Sequence, residues 1–84
     1  MRDVVLYTRP GCCLCDDARQ VLLEVRERHP GAFALREIDI ESSADLHRRY
    51  LERIPVVAID GDEAFELFVN AVELERRLGI VRTG

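Results

Sequence analysis

The sequence has no lysine and no tryptophan, few aromatic residues, no cysteine outside one short stretch and no long hydrophobic run. Each absence excludes something. All 12 basic residues are arginine, a coding bias of the source to which no function attaches, and against 16 acidic residues they leave a formal charge of −4. The charges are mixed along the chain, so neither intrinsic disorder nor the basic stripe of a nucleic-acid binder is expected. No apolar stretch approaches the ~20 residues that a membrane helix requires. The opening run Val4-Val5-Leu6-Tyr7 is too short for the core of an export signal and precedes no small-residue cleavage site. A soluble, cytoplasmic, monomeric protein without nucleic-acid or membrane partners is therefore expected. The three cysteines, Cys12, Cys13 and Cys15, have no distant partner, which excludes a structural disulfide framework. Redox chemistry, metal binding and accident remain.

Eighty-four residues support one small core, and with no repeat, linker or low-complexity segment the chain 1–84 reads as a single domain. Its ordered part is expected to run from about Arg2 to about Ile80, with Val81–Gly84 fraying. Val4–Thr8, apolar and β-branched and closed by Pro10-Gly11, predicts a central strand buried on both faces. From Cys13 the period becomes helical: Leu14, Ala18, Val21, Leu22 and Val25 form an apolar stripe. Asp16 and Asp17 stand near the helix start, Arg26, Arg28 and His29 near its end, where each sign suits the dipole. Pro30-Gly31 stops it. Phe33–Asp39 then alternates as a strand, which makes a parallel pair with a right-handed helical crossover.

Ser42 followed by Asp45 predicts a capped surface helix carrying Leu46 and Tyr50. Val56–Ile59 is strand-like, Asp60-Gly61 is a hairpin dipeptide, and Ala64–Phe68 is expected to return. Asn70, with Glu73 three residues on, caps a last helix that points Ala71, Leu74 and Leu78 at the core and ends at Gly79. The order is β-α-β-α-β-β-α, an α/β fold with a mixed four-stranded sheet and helices on both faces.

Cys12-Cys13-Leu14-Cys15 falls where the buried strand turns into a helix. There, unpaired backbone N–H groups and the helix dipole stabilise a thiolate at Cys12, with Arg9 adding positive charge. Asp16 and Asp17 oppose this, weakly if their carboxylates face solvent. Cys15, three positions on, is close enough to close a small disulfide and more enclosed. The two have the arrangement of an attacking and a resolving thiol. A zinc or copper site would need more ligands than the sequence offers, because His29 and His47, the other candidates, fall at helical surface positions expected to be solvated.

The segment Tyr7-Thr8-Arg9-Pro10-Gly11-Cys12-Cys13-Leu14-Cys15 resembles the glutaredoxin active site, a Tyr-Ser/Thr-Lys/Arg stretch followed by C-x-x-C. Arg53-Ile54-Pro55-Val56-Val57, about forty residues on, resembles the cis-proline loop of the thioredoxin superfamily. The resemblance implies a thioredoxin-like fold, a cis Ile54-Pro55 bond beside the Cys12 sulfur, and catalysis by Cys12 and Cys15. It also implies that Arg9, Ile54 and Pro55 touch a thiol substrate, the loop pairing with it as an added strand. The resemblance stops at the glutathione clamp. Where glutaredoxins carry a Gly-Gly pair and an acidic pair, this chain reads Phe65-Glu66 and Phe68-Val69-Asn70. That pattern is similar to small bacterial glutaredoxin-like proteins with a reduced clamp, and leaves glutathione open as electron donor. Cys13 takes a position usually held by proline, where residue identity tunes redox potential. It stands as a passive hydrophobe, a competing partner for Cys15 or a third soft metal ligand.

Two functions follow as expectations. The first is a thiol–disulfide oxidoreductase that reduces protein or small-molecule disulfides, with no tightly bound cofactor and with a disulfide-containing protein or low-molecular-weight thiol as partner. The second is a metal or iron–sulfur carrier built on Cys12, Cys13 and Cys15.

Overall fold

A computed structural model describes residues 2–79, so the expected fraying of 81–84 lies outside the described residues. The elements are β1 (Arg2–Thr8), α1 (Cys13–Arg28), β2 (Phe33–Asp39), a 3-10 turn (Ile40–Ser42), α2 (Ala44–Tyr50), β3 (Val56–Ile59), β4 (Asp62–Glu66) and α3 (Ala71–Arg77). They form one mixed sheet in the order β2-β1-β3-β4. The first strand lies parallel to β2, from Arg2 opposite Phe33 to Thr8 opposite Asp39, and antiparallel to β3, with Leu6 opposite Val57. As expected, it is central, and Val4, Val5, Leu6 and Thr8 are all buried.

Side-chain alternation along β1 and β3 divides the core in two. Val4, Leu6, Val57 and Ile59 meet Ala18, Leu22 and Val25 of α1 and Leu74 of α3 in one cluster. Residues of opposite parity, Tyr7 and Val56, meet Leu46 and Tyr50 of α2 in a second, which also takes in Cys12, Cys15, Ile40 and Ile54. Helices therefore cover both faces, and the second cluster lies under the cysteines. The sheet, its order and the three helices make this a thioredoxin-like α/β fold.

Four local expectations are corrected. The buried stripe of α1 is Cys15, Ala18, Leu22 and Val25, whereas Leu14 is 52% exposed because it stands one residue, about 100° of helix rotation, off the buried Cys15. Ser43, not Ser42, caps α2: its Oγ accepts from the Leu46 amide at 3.5 Å, while the Ser42 hydroxyl donates to the Asp39 carbonyl at 2.6 Å inside the 3-10 turn that buries Ile40. The return strand is Asp62–Glu66 rather than Ala64–Phe68. Asp60 and Gly61 both have positive φ (51° and 89°), so a tight turn places Asp62 directly opposite Ile59. The ladder shifts at Val57/Ala58 and ends at Leu67, whose φ of 71° takes the chain out of the sheet. Finally, His29 is not simply solvated: its Nε2 lies 2.6 Å from Oε2 of Glu75, a buried residue of α3. Asn70 caps α3 as expected, accepting from the Glu73 amide at 3.0 Å.

Candidate active site

Cys12 is the N-cap of α1, with extended backbone (φ −89°, ψ 107°), and its Sγ accepts the amide hydrogen of Cys15 at 3.2 Å. The first turn is closed further by the Asp16 amide on the Cys12 carbonyl, also at 3.2 Å. An N–H aimed at sulfur from the head of a 16-residue helix is the environment in which thiolate is favoured over thiol. Cys12 and Cys15 are joined in a disulfide, with Cα atoms 5.2 Å apart. The pair is asymmetric: Cys12 is half-buried at the surface, Cys15 is fully buried beneath it. An outer sulfur that incoming groups reach and an inner one that closes the ring is the arrangement needed for attack and resolution.

Cys13, the remaining cysteine, is exposed and free. Among the described residues no group of three His, Cys, Asp or Glu side chains is placed to hold a metal ion. Arg9 makes no ion pair among the described residues. It borders an open recess of about 230 Å³ formed by Thr8 to Gly11 with Asp16, Arg19 and Asp39. Asp16 is paired with Arg19, which donates to it at 2.8 Å and to Glu37 at 2.7 Å, so its negative charge is offset by a neighbouring guanidinium.

The Arg53–Pro55 segment completes the site. The Ile54-Pro55 bond is cis, and Ile54 packs in the same cluster as Cys15, with Cys12 against it. Both amides ahead of the proline, those of Arg53 and Ile54, donate to the Tyr50 carbonyl at 2.8 and 3.0 Å. The Leu67 amide donates to the carbonyls of Arg53 (3.2 Å) and Pro55 (2.8 Å). Proline has no N–H, so the Ile54 carbonyl is the one backbone polar group of this segment without a partner among the described residues. The structure thus brings together Cys12, Cys15 and Ile54, with Pro55 the next residue in the chain, and leaves Cys13 and Arg9 outside that cluster.

One set of side chains had no sequence signal beyond ordinary charge. Tyr50 stacks on Tyr7 with ring centroids 4.4 Å apart, and its hydroxyl donates to Glu63 Oε2 on β4 at 3.0 Å. Arg53 donates from Nη2 to Glu63 and from Nε to Glu66 at 2.7 Å. The Arg53 guanidinium holds the Glu63 carboxyl below the usual carboxylate range, outweighing the opposing effect of burial, with a lesser contribution from the Tyr50 hydroxyl. Burial, then the Glu63 hydrogen bond, pushes the Tyr50 phenol up. The only hint in the sequence is that Tyr7 and Tyr50 are its two tyrosines.

A thioredoxin-like fold with a C-x-x-C disulfide at the head of its first helix and a cis-proline segment beside it defines the class. Residues 3–79 match the family described as Glutaredoxin-like domain (DUF836), and the chain belongs to that family. Among solved structures, a structural-genomics target protein from X. campestris is 29% identical, with a TM-score of 0.72 over 94% of this chain and 99% of that one. A protein from Nitrosomonas europaea, determined in solution, is 27% identical, with a TM-score of 0.76 over 90% of this chain and 89% of its own. The oxidised form of mitochondrial thioredoxin 3 from Saccharomyces cerevisiae shares the fold at 16% identity, with a TM-score of 0.65 over 95% of this chain and 78% of that one. No helix among the described residues is long and apolar enough to cross a membrane.

Proposed function

We propose that the protein is a thiol–disulfide oxidoreductase acting through Cys12 and Cys15. The observation that carries this reading is the Cys12–Cys15 disulfide at the N-terminus of α1, with the outer sulfur on the Cys15 amide and the inner one buried. In the reduced protein the Cys12 thiolate attacks one sulfur of a substrate disulfide. A Cys12–substrate bond forms, the substrate S–S bond breaks, and the first thiolate leaves and takes a proton from solvent. Cys15, losing its own proton, then attacks the Cys12 sulfur and releases the second substrate thiolate. Two electrons pass to the substrate, and the pair is left as the disulfide described above.

The Ile54 carbonyl accepts a backbone amide of the substrate, Pro55 shapes the cleft floor, and Arg9 attracts a carboxylate at its rim. Cys13, beside the attacking sulfur, tunes the potential of the pair. Substrates are protein or small-molecule disulfides, no resident cofactor takes part, and a low-molecular-weight thiol such as glutathione or a protein dithiol returns the electrons. A reducing cytoplasm suits this direction of flow. The protein acts as a monomer, in cell redox homeostasis.

Equilibration in defined ratios of reduced to oxidised glutathione, read by intact mass and peptide mapping, tests the proposal. Reversible loss of two hydrogens localised to Cys12 and Cys15 is expected, and Cys12→Ser should abolish turnover of a disulfide substrate. Turnover that survives Cys12→Ser, or glutathione held on Cys13 with Cys12 untouched, overturns it.

A further inference from the structure

The Arg53–Pro55 segment faces the cysteine pair, yet its position is set from outside the cleft. Its backbone hangs from two anchors, the Tyr50 carbonyl at the end of α2 and the Leu67 amide after β4. Side chains join the same two anchors. Glu63 is the junction: one carboxylate oxygen accepts the Tyr50 hydroxyl at 3.0 Å and lies 4.0 Å from Arg49, while the other takes the Arg53 guanidinium. Arg53 also holds Glu66 at 2.7 Å, and its guanidinium lies 5.4 Å from the centre of the Tyr50 ring. The Tyr50 ring in turn lies on Tyr7, in the cluster that contains Cys15 and packs against Cys12.

We propose that Glu63 is a positioning residue for disulfide exchange at Cys12: through Arg53 and Tyr50 it sets where the Arg53–Pro55 segment stands relative to the cysteine sulfurs. This rests on the oxidoreductase reading. The side chains that Glu63 pairs with are Tyr50, Arg53 and Arg49, neither cysteine among them, so its effect is transmitted through the two side chains it joins.

The relative size of two effects separates this role from a merely stabilising one. The Arg53–Glu63 pair is about one-third exposed on both sides, and exposed ion pairs contribute little to stability. Reaction rates, by contrast, fall steeply with small misplacements of the groups that align substrate and nucleophile. Removing the charge of Glu63 while keeping its shape should therefore leave the fold intact and slow the exchange. Arg53 would retain Glu66 as its partner and shift toward it, drawing the segment with it.

The experiment uses the full chain, reduced, as wild type, Glu63→Gln and Glu63→Asp. Two rates are measured: reaction with a peptide disulfide that releases a chromogenic thiol, which must enter the cleft, and alkylation of Cys12 by iodoacetamide, which needs only an accessible thiolate. Thermal unfolding is recorded in parallel. Glu63→Gln should lower the second-order rate with the peptide disulfide about tenfold, leave alkylation and the unfolding midpoint close to wild type, and be partly rescued in Glu63→Asp, which keeps the charge. Peptide exchange equal to wild type in Glu63→Gln overturns this inference alone. Equal losses in both rates together with a lowered midpoint also overturn it, by showing a general loss of structure. A wild-type chain that fails to exchange overturns the oxidoreductase reading and the inference with it.

Discussion

The rings of Tyr7 and Tyr50 lie 4.4 Å apart, centre to centre, and 23° from parallel, joining the central strand to the end of α2 directly beneath the cysteine pair. Tyr50 is 4% exposed, so its ring is a packing element and its hydroxyl a separate polar contact with Glu63. Tyr50→Ala removes the stack and leaves a cavity, and should cost about 3–5 kcal/mol. Tyr50→Phe keeps the stack and loses one hydrogen bond, and should cost about 1 kcal/mol. Urea midpoints with unchanged slopes are the measurement, and equal losses in both variants would contradict the stacking account.

Cys15 is fully buried while Cys12 is half-buried, so the two thiols should fail in different ways when removed. With Cys15→Ser the first exchange still proceeds but the mixed disulfide has no resolving thiol. Intact-mass spectra should show a stable substrate adduct on Cys12, and the same adduct on Cys13 instead would reassign the attacking thiol.

His29 ends α1 and meets the buried carboxylate of Glu75 on α3 at 2.6 Å, tying together the two helices on one face of the sheet. His29→Ala takes a hydrogen-bonding partner from that carboxylate. A loss of about 1–3 kcal/mol in chemical denaturation is expected. The cysteine chemistry, on the opposite core cluster, should be unchanged.

The acid side of the stability profile follows from two carboxylates. The amide of Asp3, then the Arg2 guanidinium, hold the Asp60 carboxyl below its ordinary value, as Arg53 does for Glu63. A folded value below the unfolded one adds stability at pH above the unfolded value, and that stability is lost as pH falls through the folded one. With unfolded values near 3.9 and 4.3, the decline should set in below about pH 5. Asp60→Asn, whose side chain tolerates the positive φ of that turn position, should flatten this limb by lowering the midpoint at neutral pH, with variant and wild type converging as Asp60 is protonated. Urea unfolding at a series of pH values compares the slopes.

Much of the architecture was legible locally. The apolar Val4–Thr8 run, the switch to helical spacing at Cys13, the Asp60-Gly61 turn and the Asn70 cap each depend on neighbours a few residues away, and each recurs in the fold. The misread boundaries have one cause. Ser42 and Ser43 are equivalent caps by sequence, and burial of Ile40 in a 3-10 turn decides between them. Ala64–Phe68 is as strand-like as Asp62–Glu66, and the pairing of Asp62 with Ile59 decides the register.

At the site, the division is between chemistry and placement. The sequence alone determined where the two sulfurs of the disulfide lie, because a C-x-x-C at a strand-to-helix junction puts one sulfur at the helix head and the other a turn inside, whatever surrounds them. Only the tertiary structure decided what stands beside those sulfurs. The Tyr50, Arg53, Glu63 and Glu66 cluster joins α2, the proline segment and β4 through contacts spanning up to 13 positions of chain, and His29 meets Glu75 across 46. Local patterns reflect propensity and periodicity over a few residues. Which distant side chains meet is set by how helices and strands pack, and it is there that the supports of this site are made.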